Sequence, residues 1–85
     1  MTQDTVLTLG ILGGTGREGS GLALRWAHAH YAVIIGSRDR ARAEAAAEAI
    51  NEKLGRDGIV HGMLNLEAAH ACDIAVLTVP YSAHR

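Results

Sequence analysis

Gly14, Gly16 and Gly19 fall in a G-x-G-x-x-G spacing, with Thr15 and Arg17 between them. Such a run carries little meaning alone. Its meaning comes from an apolar strand before it and an amphipathic helix after it, and both patterns are present here. One glycine permits the sharp turn, a second lets a diphosphate approach the backbone, and a third lets helix and strand pack closely. The N–H groups and positive pole of the helix N-terminus then face the anion. Gly13 also allows a Gly13-x-x-Gly16-x-x-Gly19 reading, so the division of roles among the glycines stays open. The candidates for diphosphate binding are Gly14, Thr15, Gly16, Arg17 and Gly19.

About 20 residues past such glycines, an NAD site places an acidic residue on the ribose 2′-hydroxyl. This chain has Ser37 and Arg38 there, followed by Arg40 and Arg42. A carboxylate would repel a 2′-phosphate, whereas a guanidinium clamps it through paired hydrogen bonds. Arginines at a helix N-terminus also oppose the macrodipole, and a bound phosphate would turn that cost into attraction. The pattern predicts NADP rather than NAD, with Ser37, Arg38 and Arg42 around the 2′-phosphate and Arg40 on the surface. A solvated basic turn paired with Glu44 and its neighbours is the competing reading. Asp39 has two options, capping the helix or meeting a ribose.

The remaining reactive side chains form no constellation. His28 and His30 are two apart on a helix and share no face. His61, His70 and His84 lack partners at ligand spacing, so neither a metal site nor a catalytic residue is assigned. Hydride chemistry needs no such group, because the cofactor carries it. Thr78, Val79 and Pro80 end the last strand, where they either line the ribose and nicotinamide side of a cofactor or merely stop the strand.

Four strands and three helices alternate along the chain. The strands are read at Val6 to Leu12, Ala32 to Gly36, Ile59 to His61 and Asp73 to Val79. One helix follows the glycines with the stripe Gly19, Leu22, Ala23, Trp26, Ala27 and His30. A second is opened by Ser37 or Asp39 and closed by Gly55, with Ala43, Ala46, Ala47, Ile50 and Leu54 facing inward. A third is capped by Asn65 and runs to about Ala71. Gly10, Gly21 and Gly36 read as sites of close packing. Alternation with short connections predicts an α/β, Rossmann-type doubly wound parallel sheet in the order 3-2-1-4. In that fold more strands and a substrate region would follow, so residues 1–85 are expected to be an incomplete N-terminal NADP-binding domain.

Composition sets the outer bounds. The 85 residues are 48% hydrophobic and 4% aromatic with a net charge of −1, which gives no general pull toward nucleic acid or an anionic membrane. No apolar run approaches the ~18 residues of a membrane span. The polar N-terminus lacks the layout of a secretory signal, and the single cysteine, Cys72, points to a reducing compartment. A cytoplasmic protein serving small-molecule cofactors is expected, with a homo-oligomer allowed.

Three stretches together resemble a known family. They are Ile11-Leu12-Gly13-Gly14-Thr15-Gly16 running on to Gly19-x-Gly21-Leu22-Ala23-Leu24-Arg25, then Val33-Ile34-Ile35-Gly36-Ser37-Arg38 with Ala43-Glu44-Ala45, and Ala69-x-Ala71-Cys72-Asp73-Ile74-Ala75-Val76-Leu77-Thr78-Val79-Pro80. This is similar to the N-terminal part of the NADP reductases that use the deazaflavin coenzyme F420. Pyrroline-5-carboxylate reductases and β-hydroxyacid dehydrogenases share the pattern more distantly. The resemblance implies hydride transfer between reduced coenzyme F420 and NADP, with Thr15, Ser37, Arg38 and Arg42 at the 2′-phosphate and adenosine end. The alternatives are a stand-alone nucleotide-binding module or a reductase of an imine or hydroxy acid. The family's deazaflavin part would lie beyond Arg85, so the 85 residues alone are expected to bind NADP weakly and catalyse nothing measurable. His30 departs from the family by standing where a helix-ending glycine is usual.

Overall fold

The computed structural model describes residues 7–13, 17–56 and 58–77. Among them are four strands and three helices, in the order β1 (Thr8–Leu12), α1 (Arg17–His28), β2 (Ala32–Ser37), α2 (Arg40–Leu54), β3 (Val60–Leu64), α3 (Asn65–Ala71) and β4 (Ile74–Leu77). All pairings are parallel and the sheet order is β3-β2-β1-β4, as the alternating pattern predicts. β1 has β2 on one side and β4 on the other, so the direction of strand addition reverses there and opens a switch point at the carboxyl end of β1.

Side-chain alternation along the strands separates two layers. Ile11, Val33 and Ile35 are fully buried and form one core with Ala23 and Ala27 of α1, Ala47 and Ile50 of α2, and Val60. On the other face, Gly10 and Gly36 lie under α3. A Cβ on Gly10 would come within 2.7 Å of the Cys72 sulfur, and one on Gly36 within 3.0 Å of the Ala68 Cβ. Alanines on the helices and glycines on the strands let the layers approach closely, which replaces the bulk that a chain without Phe lacks.

Several boundaries differ from the sequence reading. β1 starts at Thr8, and β4 starts at Ile74 because Asp73 is used otherwise: its carboxylate accepts the Thr8 N–H at 2.8 Å while its own N–H donates to the Thr8 carbonyl at 2.8 Å. β3 begins at Val60 and continues to Leu64, past the expected end at His61, because Gly62 passes directly beneath the Ala43 carbonyl of α2. No larger residue fits there, so a residue that looks like a strand breaker is what lets the strand continue. Gly21, read as a packing site, is exposed and has no described atom within 4 Å of a built Cβ. Cys72 is half-buried, just after α3.

Candidate functional site

The carboxyl end of the sheet gathers three segments: Gly13 after β1, Ser37 to Arg42 from the last residue of β2 into α2, and the start of α3 after β3. Gly13 has φ of 74°, a left-handed conformation that glycine adopts without the clash a side chain would bring. Its N–H donates to the Gly36 carbonyl at 2.9 Å and to Asn65 Oδ1 at 3.1 Å. Gly19 is buried in the first turns of α1, in keeping with a glycine that lets this helix pack closely. Gly14, Thr15, Gly16, Thr78, Val79 and Pro80 lie outside the described residues, as does the side chain of Arg17.

After β2, the two options for Asp39 resolve. It is the N-cap of α2: its Oδ1 accepts the Ala41 N–H at 3.0 Å and the Arg42 N–H at 3.4 Å. Ser37, the one buried polar residue among those described, accepts the Asp39 N–H at 3.2 Å and so fixes the approach to the cap. No acidic residue occupies the first turn of α2, where the dipole would welcome one.

The arginines divide. Arg40 lies on the surface, as expected, and its Nη2 is 2.7 Å from Glu67 Oε2 on α3. The hydrogen bond from Arg40, and then that from the Leu64 N–H at 3.2 Å, hold the Glu67 carboxyl below the ordinary carboxylate value. Glu67 in turn raises the pKa of Arg40. Arg38 and Arg42 are exposed and form no ion pair among the described residues. Neither forms an ion pair with Glu44, whose charge acts instead on Arg40.

Asn65 is also placed differently from expectation. Leu64 holds the N-cap position of α3, and Asn65, one residue on, directs its side chain to Gly13. Neither this contact nor Glu67–Arg40 was read from the sequence. The partners are 52 and 27 residues apart, and only the sheet order brings them together. A local signal existed for the Glu67–Leu64 bond alone, since glutamate three residues after an N-cap commonly reaches back to it.

Elsewhere, an open depression of about 280 Å³ lies at the opposite end of the sheet, between His30, Tyr31, Ala32, Arg56 and Ile59. It contains neither glycine turn nor arginine cluster. No group of three metal-ligating side chains occurs among the described residues, and no described helix is long and apolar enough to cross a membrane.

A parallel 3-2-1-4 sheet with helices on both faces, and a glycine segment leaving β1 at the switch point, defines a Rossmann-like α/β protein. Within that class the chain belongs to the family described as NADP oxidoreductase coenzyme F420-dependent, whose model matches residues 8–85. It is 49% identical over 84 residues to the F420-dependent NADP reductase of Methanothermobacter thermautotrophicus, covering 98% of this chain and 36% of that protein. The same-named protein of Methanothermobacter marburgensis is 49% identical over 78 residues, covering 91% and 35%. That of Methanocaldococcus jannaschii is 44% identical over 78 residues, covering 88% and 34%. The chain thus spans about a third of the length of these relatives.

Proposed function

We propose that this chain binds NADP at the carboxyl end of its sheet and forms the N-terminal NADP-binding part of an oxidoreductase that transfers a hydride between reduced coenzyme F420 and NADP. The observation that carries the cofactor choice is the division of the arginines. With Arg40 engaged by Glu67 and Asp39 engaged as a cap, Arg38 and Arg42 are the charges left at the end of β2. That donor set fits a phosphate monoester on the ribose. The coenzyme F420 half of the reading rests on the relatives' names and on family membership.

Each segment has a distinct task. Gly14, Thr15, Gly16, Arg17 and Gly19 receive the diphosphate, through backbone N–H groups at the start of α1. Ser37 sets the backbone that delivers Arg38, and Arg38 and Arg42 hold the 2′-phosphate. Thr78, Val79 and Pro80, next in sequence after β4, line the ribose and nicotinamide side. NADP, when bound, supplies the hydride chemistry, and these residues orient it. The partners on this reading are small-molecule cofactors.

Titrating NADP and NAD into the protein tests the choice. NADP is expected to bind at least about tenfold more tightly, a gap of ~1.4 kcal/mol. Equal affinities would remove the phosphate clamp.

A further inference from the structure

We propose that Asn65 is a positioning residue for the diphosphate-binding turn, acting through the backbone of Gly13. The inference rests on the nucleotide reading above and deepens it. Glycine populates left-handed and right-handed backbone with similar ease, so Gly13 does not by itself choose the φ of 74° at which the chain leaves β1. Something outside it must choose. Its N–H is held in a three-centre arrangement by the Gly36 carbonyl at 2.9 Å and Asn65 Oδ1 at 3.1 Å. Two acceptors from two different elements hold the Leu12–Gly13 peptide at the point where the chain leaves β1.

The surroundings are arranged for this contact. Gly36 carries no side chain, and a Cβ there would stand 2.8 Å from Asn65 Oδ1 and displace it. The start of α3 does not draw on the Asn65 side chain: Leu64 is its N-cap, without a side-chain cap hydrogen bond, and Asn65 Oδ1 faces Gly13. The same turn of α3 reaches the other half of the site, where Glu67 holds Arg40 at the head of α2. One short helix therefore braces both the segment that would meet the diphosphate and the segment that would meet the 2′-phosphate.

The test uses three ligands on the full chain and on Asn65→Ala: NADP, NAD and adenosine 2′-monophosphate, which engages the arginine end but has no diphosphate. NADP and NAD are expected to weaken by the same factor, about three- to tenfold, the scale of one hydrogen bond. Binding of adenosine 2′-monophosphate is expected to stay at the wild-type value. Leu66→Ala, an exposed change in the same turn, is expected to leave all three unchanged. The proposal is overturned if Asn65→Ala binds both dinucleotides normally, or if adenosine 2′-monophosphate weakens as much as NADP. Equal losses in Leu66→Ala would overturn it too. A wild-type chain that binds none of the ligands would instead remove the nucleotide reading itself.

Discussion

At the end of the sheet where the strands begin, α1 and α2 finish in the same way. Just past each helix end a residue has a left-handed backbone, His30 at φ 75° and Gly55 at φ 71°. Its N–H donates three residues back, and the next N–H donates five back: His30 to Ala27 and Tyr31 to Trp26, Gly55 to Glu52 and Arg56 to Asn51. This is the Schellman arrangement, and basic residues in both last turns suit the negative pole. At the carboxyl end the rules run the other way. Arginines crowd the positive pole of α2, the best capping side chain of α3 is turned onto a neighbouring loop, and backbone bends at a glycine. Local preference is satisfied at the end where the strands begin, and set aside at the carboxyl end, where the nucleotide is proposed to bind.

If that contrast is real, changes at the carboxyl end should alter binding with little effect on stability. The largest effect is expected from Gly16→Val, which puts a branched side chain where the diphosphate must approach. Losing about two hydrogen bonds to a charged group, at ~1.5 kcal/mol or more each, weakens binding about a hundredfold. NADP and NAD should fall together. A folded variant by circular dichroism that binds both normally would put the diphosphate elsewhere.

Arg38→Ala should act more narrowly. NADP affinity is expected to fall about thirtyfold, the ~2 kcal/mol scale of charge-assisted hydrogen bonds, with NAD almost unchanged. Arg40→Ala should leave the NADP to NAD ratio near wild type, because Glu67 already holds that guanidinium. Titration of both cofactors into both variants separates the two arginines. An Arg40 effect on the ratio as large as that of Arg38 would undo the division of roles.

How far the sequence foretold this depends on the range of the signal. The sheet order and the ends of α2 were legible because they follow from adjacent residues: apolar runs, Asp39 before a helical stripe, Gly55 after it. The fate of each arginine was not legible from Arg38, Arg40 and Arg42 alone, since Glu67 is 27 residues away and meets one of them only in the folded sheet. Asn65 misled for a related reason. Its residue type suits a cap, and the tertiary contact with Gly13 outweighs that local preference. The third strand was read only to His61, because the close approach of α2 that Gly62 permits is likewise a tertiary contact.

At the opposite end, stability should move and binding should not. The Asn51 side chain on α2 donates to the Val60 carbonyl and accepts the Val60 N–H, both at 2.9 Å, and so ties the start of β3 to the helix. Asn51→Ala is expected to cost about 1–2 kcal/mol, two hydrogen bonds at a partly buried strand end. Denaturant unfolding would show the loss. NADP affinity of the folded variant should match wild type, and a parallel loss of affinity would mean the two ends are coupled.

The smallest expected effect is also the sharpest test of the contrast, because there the strand-start end breaks its own rule. His30 occupies a position whose backbone favours glycine, and Gly55 occupies the matching position on α2. Left-handed backbone costs a residue with a Cβ ~1 kcal/mol or more, while glycine adds entropy to the unfolded chain, so the two terms partly offset. His30→Gly is therefore expected to stabilise by about 0.5–1 kcal/mol, a rise in melting temperature of a few degrees for a chain of this size. Gly55→His should do the reverse by a similar amount, since the hydrogen bonds of the two helix ends match. Because His30 is exposed and far along the sheet from Arg38 and Gly13, the dissociation constant for NADP should be the same in all three proteins. Thermal unfolding of the pair, run beside an NADP titration, reads both quantities. A destabilised His30→Gly would show that the imidazole holds this helix end by contacts stronger than its backbone strain. A change in NADP affinity would show that the two ends of the sheet are not independent.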